Sequence, residues 1–368
     1  MRVLIADDSA FMRKILTDLF ESGRGFEVVG TARNGADAVT KVRDLNPDIV
    51  TMDVEMPEMN GLSALRKIRA EHGRGKPAVL MCSTLTQSGS DIALESLRAG
   101  AADVIAKESL GLGQDTSAFR NELLLKVRAI GMHVLRTNRP AVAAPATAAK
   151  TPKFVGGDVR TAGIDAVVIG SSTGGPPVLE TIVESLESVP TRPIMIAQHM
   201  PSLFTKSLAN RMNDIGPARV KLAADGESPE AGTVYIAEGG LHLRLLQRRG
   251  RVVFEVSVEP AEALYKPSVT ELFSSAASVY GKKVMGVMLT GMGDDGLIGA
   301  RKMHDAGAQI LAQSEDSCVV YGMPRAVVEA GITSDATGIE ELCGYINQAS
   351  GCRSTPKTGD ESSLRRSA

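Results

Sequence analysis

Short apolar runs recur along the chain, each followed by a stretch whose apolar positions have helical spacing, and this alternation constrains the fold most. In the first third, Val3–Asp7, Glu27–Ala32, Ile49–Asp53, Ala78–Ser83 and Asp103–Lys107 are each too short to be a helix. Five such βα units in succession predict a parallel sheet with helices on both faces. A second series begins near Asp165, with strand candidates Ala166–Gly170, Pro193–Gln198, Val234–Ala237, Val284–Thr290 and Gln309–Ala312. Within it, Leu241–Leu246 and Arg251–Val258 flank a polar Arg-Arg-Gly turn and predict a hairpin.

Between the two series lies an Ala/Pro-rich stretch in which Pro140, Pro145 and Pro152 argue for an extended linker over a helix. The expected organisation is therefore a domain over 1–136, a linker over 137–163 and a second doubly wound, mostly parallel α/β domain over 164–350. A polar, disordered tail over 351–368 completes it. A length of 368 residues suits two cores better than one.

Composition narrows the function classes. The net charge is −2 with no long block of one sign, which argues against nucleic-acid binding. There is no apolar run long enough for membrane insertion. The apolar start of the chain is interrupted by Asp7 and Asp8, so it reads as a buried strand and not as a signal peptide. Cys82, Cys318, Cys343 and Cys352 form no CxxC pair, which suggests neither a disulfide framework nor a zinc site and fits a reducing, cytoplasmic compartment.

Acidic residues gather at the predicted strand ends of the first series. Asp7 and Asp8 end the first strand, Asp53 the third, Ser83 and Thr84 the fourth and Lys107 the fifth. Ligands of open parallel sheets bind outside the carboxyl ends of the strands. Three carboxylates there repel one another unless a cation shares the site, and hard oxygen ligands suit Mg²⁺. Asp53 is then placed to attack a phosphoryl group, with Mg²⁺ and Lys107 neutralising the phosphoryl oxygens and Ser83 or Thr84 hydrogen-bonding them. Taken singly, each Asp reads as a helix cap; the combination at successive strand ends is what points to chemistry. These residues resemble the response-regulator receiver family across about residues 1–130. The resemblance implies a flavodoxin-like fold of strand order 2-1-3-4-5, Asp53 as phosphoacceptor, Asp7 and Asp8 as Mg²⁺ ligands, Lys107 as the phosphate contact and a histidine kinase as phosphodonor. Glu108 stands where receivers usually carry proline.

In the second series, Gly170-Ser171-Ser172-Thr173-Gly174-Gly175-Pro176 follows a strand and opens a helix. It lacks the GxGxxG of dinucleotide sites and the lysine of a P-loop, but satisfies GxSxG with Ser172 at the turn. Ser172 alone reads equally well as a helix cap. A serine nucleophile needs a base. Of the histidines, His72 and His133 belong to the first series, His304 is mid-helix and His242 lies in the hairpin as a substrate-contact candidate. His199 directly follows a strand expected beside that of Ser172. The glycine-rich turn Thr290-Gly291-Met292-Gly293-Asp294-Asp295-Gly296 offers two carboxylates to orient that base and a backbone N–H, such as that of Met292, for an oxyanion. The order Ser172…His199…Asp295 differs from that of α/β-hydrolases.

The segments Ser171–Gly175, Gln198–Pro201, Tyr265–Val269, Leu289–Gly293 and Cys318–Pro324 together resemble the chemotaxis protein-glutamate methylesterase (CheB) family over about residues 1–350. The resemblance implies a triad of Ser172, His199 and Asp295, and an oxyanion hole at Met292. It implies hydrolysis of glutamyl methyl esters on chemoreceptors, deamidation of receptor glutamines, and no cofactor for the esterase chemistry. Ser171 replaces the family's usual alanine, and Asp294 its usual asparagine. A receiver joined to a DNA-binding domain, a non-catalytic adaptor on the same fold, and a related hydrolase with another ester or amide substrate are the competing readings. No basic recognition helix follows Lys150 to support the first.

Overall fold

The computed structural model describes residues 1–73, 75–84, 86–107, 117–137, 159–333 and 336–352. Most of the expected linker, most of the tail, and Glu108 lie outside the described residues.

The first series forms β1 (Arg2–Ala6), α1 (Ala10–Ser22), β2 (Glu27–Ala32), α2 (Gly35–Leu45), β3 (Ile49–Asp53), α3 (Gly61–His72), β4 (Ala78–Ser83), α4 (Gln87–Arg98), β5 (Asp103–Ala106) and α5 (Ser117–Thr137). The five strands are parallel in the order β2-β1-β3-β4-β5. Alternate strand residues point to opposite faces. Val3, Ile5, Ile49, Leu80 and Ile105 pack with Leu16, Phe20, Leu123 and Val127 of α1 and α5. Leu4, Val50, Met52, Val79 and Met81 pack with Val42, Leu65, Ile68 and Leu94 of α2, α3 and α4.

The second series forms β6 (Ala166–Ser171), α6 (Gly175–Glu184), β7 (Ile194–Gln198), α7 (Ser202–Asn213), β8 (Arg219–Leu222), β9 (Thr233–Ile236), β10 (His242–Arg248) and β11 (Arg251–Ser257). It continues through α8 (Val269–Tyr280), β12 (Val284–Met288), α9 (Leu297–Asp305), β13 (Gln309–Gln313), α10 (Met323–Glu329), β14 (Ala336–Thr337) and α11 (Ile339–Ser350). Seven strands run parallel in the order β14-β13-β12-β6-β7-β9-β8, while β10 and β11 form the antiparallel hairpin. One sheet face, carrying Val167, Ile169, Ile194, Ile196 and Val287, meets α6, α7 and α11. The other, carrying Val168, Met195, Tyr235 and Ile310, meets α8, α9, α10 and the hairpin residues Leu243, Leu245 and Phe254.

The two units touch. Gln87 of α4 donates to Ser207 Oγ of α7 at 2.7 Å, and Arg98 lies 3.2 Å from the buried Glu180 carboxylate of α6. Among the described residues no helix is long and apolar enough to cross a membrane.

Candidate active site

Strand register brings the second cluster together. β6 lies between β7 and β12, with Ser171 opposite Gln198 and Gly170 opposite Met288. All three strands run the same way, so Ser172, His199 and the loop holding Asp295 emerge at one edge of the sheet. Backbone bonds join them: Ser172 N–H to Thr290 O at 3.0 Å and His199 N–H to Ser171 O at 3.1 Å. Gly174, at φ 78°, takes the left-handed turn that starts α6. Gly291 packs against the serine, where a Cβ would sit 2.8 Å from Ser172 Cβ.

The Asp295 carboxylate lies 2.8 Å from His199 Nε2. It also accepts from Ser268 Oγ (3.0 Å), Val269 N (2.7 Å), Thr270 N (3.1 Å) and Gly296 N (2.9 Å). Val269 and Thr270 are the first residues of α8, so the carboxylate sits on a helix N-terminus, where free N–H groups favour negative charge. Burial opposes its ionisation, but the His199 hydrogen bond and charge, with the α8 donors, hold its carboxyl far below the usual range. Asp294, one residue earlier, is exposed, and among the described residues its side chain bonds to nothing.

Nε2 faces the carboxylate, and in the neutral imidazole that contact favours the proton on Nε2 and the lone pair on Nδ1. Nδ1 is buried and has no partner among the described residues. Ser172 is 7% exposed, and its Oγ makes no hydrogen bond among the described residues. Two N–H groups beside it, those of Thr173 and Met292, donate to no group among the described residues. Ser171 extends this framework: its Oγ donates to Gln198 Oε1, and Gln198 Nε2 donates to Ser172 O at 3.0 Å.

His242, the substrate-contact candidate, is placed differently. It is buried, its Nδ1 accepts from Ser268 N at 3.2 Å and its Nε2 faces Pro260 O at 3.3 Å. Burial pushes its pKa down, so it is a neutral strut beneath the Asp295-binding turn. The Tyr265–Val269 segment carried part of the family resemblance, but its residue types assigned that turn no role, although Ser268 and Glu271 have capping-box spacing and Ser268 Oγ accepts from Glu271 N. Tyr265, whose ring stacks on His199 at 4.3 Å, was likewise assigned no role.

The first sheet presents its own cluster. One carboxylate oxygen each of Asp7, Asp8 and Asp53 lies within 4.8 Å of the others, and Lys107 Nζ is 2.7 Å from both Asp7 and Asp53. Burial pushes the Asp53 carboxyl up to about 6 against the pull of Lys107. The two hydroxyls expected there are not brought onto it. Ser83 Oγ is buried and donates to the carbonyls of Thr84 and Gly89; Thr84 is exposed, and no bond joins its side chain to the cluster among the described residues.

Asp103 of β5 and Lys126 of α5 reach the other cluster. Thr173 Oγ1 donates to Asp103 Oδ2 at 2.7 Å, and Lys126 Nζ lies 2.5 Å from the same oxygen. Asp103 was read only as a strand residue, because nothing in its local pattern points to a contact with the residue after Ser172.

These folds and clusters define a class: a response-regulator receiver joined to a doubly wound α/β hydrolase domain. The chain belongs to the CheB methylesterase family. The family model described as CheB methylesterase matches residues 167–346, and that of the response regulator receiver domain matches residues 3–111. A protein-glutamate methylesterase/protein-glutamine glutaminase 1 of Oleidesulfovibrio alaskensis is 42% identical, with 95% of this chain and 99% of the relative covered. A protein-glutamate methylesterase/protein-glutamine glutaminase of Bacillus subtilis is 37% identical, with 94% and 97% covered. The crystal structure of the Thermotoga maritima CheB methylesterase catalytic domain matches at 39% identity and a TM-score of 0.49, covering 50% of this chain and 98% of that one.

Proposed function

We propose that this chain hydrolyses glutamyl methyl esters on chemoreceptors, deamidates receptor glutamines, and is switched on by phosphorylation at Asp53. The convergence of Ser172, His199 and Asp295 at three adjacent strand ends carries this reading. Ser172 Oγ attacks the ester carbonyl carbon while His199 Nδ1 takes its proton. Asp295 holds Nε2–H and stabilises the imidazolium that forms. The oxyanion is received by the N–H groups of Met292 and Thr173. Collapse breaks the C–O bond of the ester, or the C–N bond of a glutamine amide, and the His199 proton leaves with methanol or with ammonia, leaving an acyl-enzyme on Ser172. Water, deprotonated by His199, then frees the glutamate carboxylate and Ser172.

In the receiver, Asp7, Asp8 and Asp53 are the residues that would hold Mg²⁺, and their clustered carboxylate oxygens are the hard donors such an ion takes. The ion would neutralise phosphoryl oxygens as Asp53 attacks phosphorus, with Lys107 supplying a second positive charge. A histidine kinase is the expected phosphodonor. The domain division at 1–136, 137–163 and 164–350 supports control of one unit by the other.

Methanol release from methylated receptor membranes, with and without a small phosphodonor, tests both sites. Ser172→Ala is expected to lower release by about 10³-fold or more in either condition. Asp53→Asn is expected to keep the basal rate and lose the response to the phosphodonor. Full release by Ser172→Ala would overturn the nucleophile assignment.

A further inference from the structure

We infer that Tyr265 is a positioning residue whose ring face fixes the plane of His199. This rests on the triad reading above. The two rings are stacked, with centroids 4.3 Å apart and planes inclined by 8°. His199 is tied to Asp295 through Nε2 alone, and its Nδ1 has no partner among the described residues. A ring held at one nitrogen can still swing about that bond, and the swing carries Nδ1 out of line with the serine. A flat neighbour at stacking distance removes this freedom without touching either nitrogen. Its electron-rich face also favours the imidazolium that forms once the proton has moved.

The segment that carries Tyr265 is itself anchored to the other partner. Three residues on, Ser268 Oγ donates to Asp295, followed by Val269 N and Thr270 N. Lys266 O accepts from Gly240 N at 3.0 Å, and Ser268 N donates to His242 Nδ1. One short stretch thus grips Asp295 by hydrogen bonds and His199 by its ring. Tyr265 is half-buried, and burial, followed by the charge of Asp295, pushes its phenol up, so the ring stays neutral. Lys126 and Glu122 of α5 and Asp294 are the other charged groups around it. The hydroxyl makes no hydrogen bond among the described residues, which leaves the ring face as the functional part.

The test measures methanol release by the full chain with a small phosphodonor present, so that docking of the receiver does not mask the result. Tyr265→Leu is expected to lower kcat by about tenfold with KM within about twofold of the parent, the range of an aromatic pair. Tyr265→Phe, which keeps the face, is expected to restore kcat to within about threefold. The His199 ring-proton resonances should lose their ring-current shift in Tyr265→Leu and keep it in Tyr265→Phe. Tyr265→Met repeats the measurement if the leucine variant does not fold. Unchanged kcat in the leucine or methionine variant, a rise confined to KM, or a Phe variant as slow as the leucine one would each overturn the inference. Ser172→Ala in parallel separates the two claims: if it keeps activity, the triad reading fails; if it is dead while Tyr265→Leu is not, only the role of Tyr265 fails.

Discussion

Asp294 and Asp295 carry the same functional group one residue apart, and their surroundings separate them. Asp295 meets His199, Ser268 and three backbone N–H groups; Asp294 faces solvent. Asp295→Asn is therefore expected to lower kcat by about 10³–10⁴-fold, as the amide favours the wrong histidine tautomer, and Asp294→Asn by less than about threefold. Methanol release by the two single variants checks this. Asp295 also carries a pH dependence. Its folded-state pKa lies below its unfolded one, so the stability it contributes is complete above the ordinary carboxylate value near 4 and drains away as pH falls towards the folded value. The difference in urea midpoint between parent and Asp295→Asn should be largest near neutrality and shrink below about pH 4. Residue type alone offered both carboxylates, since an Asp before a helix serves equally as a cap, and only the family resemblance singled out Asp295. The choice is made by the first turn of α8, about twenty-five residues upstream in the chain, which no local pattern connects to Asp295.

Strand ends were the most legible level of this fold. Twelve of the fourteen strands among the described residues were readable, most of the parallel ones as apolar runs buried on both faces and the hairpin from two runs flanking a polar turn. β8 and β14 were not. β8 (Arg-Val-Lys-Leu) is a partly exposed edge strand, and β14 is two residues long on the opposite edge. Neither position affects the site, which hangs from the central β7, β6 and β12. The loop after β12 is where packing is least forgiving. A Cβ at Gly291 would meet the Met323 side chain and lie 2.8 Å from Ser172 Cβ, so one of these must shift. Gly291→Ala is expected to cost about 1–3 kcal/mol in urea unfolding. Methanol release should fall by at least about tenfold in protein that is still fully folded, because a shift of Ser172 displaces the proposed nucleophile. An alanine variant with unchanged release would mean that Met323 alone gives way.

Two units were legible from the paired series of βα repeats, but their docking was not, because it is made by single polar side chains distant in sequence. The contacts nearest the chemistry are Asp103 and Lys126, which bring a carboxylate and its ammonium partner onto Thr173. Thr173 supplies one of the N–H groups proposed to receive the oxyanion, so the docked receiver places an ion pair, its carboxylate oxygen turned to Thr173, next to where negative charge must develop. Ser172 itself is 7% exposed in this docked arrangement. Both effects favour an inhibited closed state, and any change that costs the closed state more than the open one must raise the basal rate. Asp103→Asn is such a change. It replaces the nearer ionic partner of Lys126, 12% exposed at the interface, with a neutral amide and leaves, among the described residues, only Glu122, 3.7 Å away; a weakly paired interfacial ammonium is costly while undocking returns it to water. Coupling between sites is typically about 1–3 kcal/mol, which is about 5–150-fold. Asp103→Asn should therefore raise unphosphorylated methanol release several-fold while leaving the phosphodonor-stimulated rate within about twofold, so that the activation ratio contracts from below. If the ratio contracted because the stimulated rate fell, the carboxylate would be serving catalysis and not restraint. If neither rate moved, the weight of docking would rest on Gln87–Ser207 and Arg98–Glu180, at a distance from the serine.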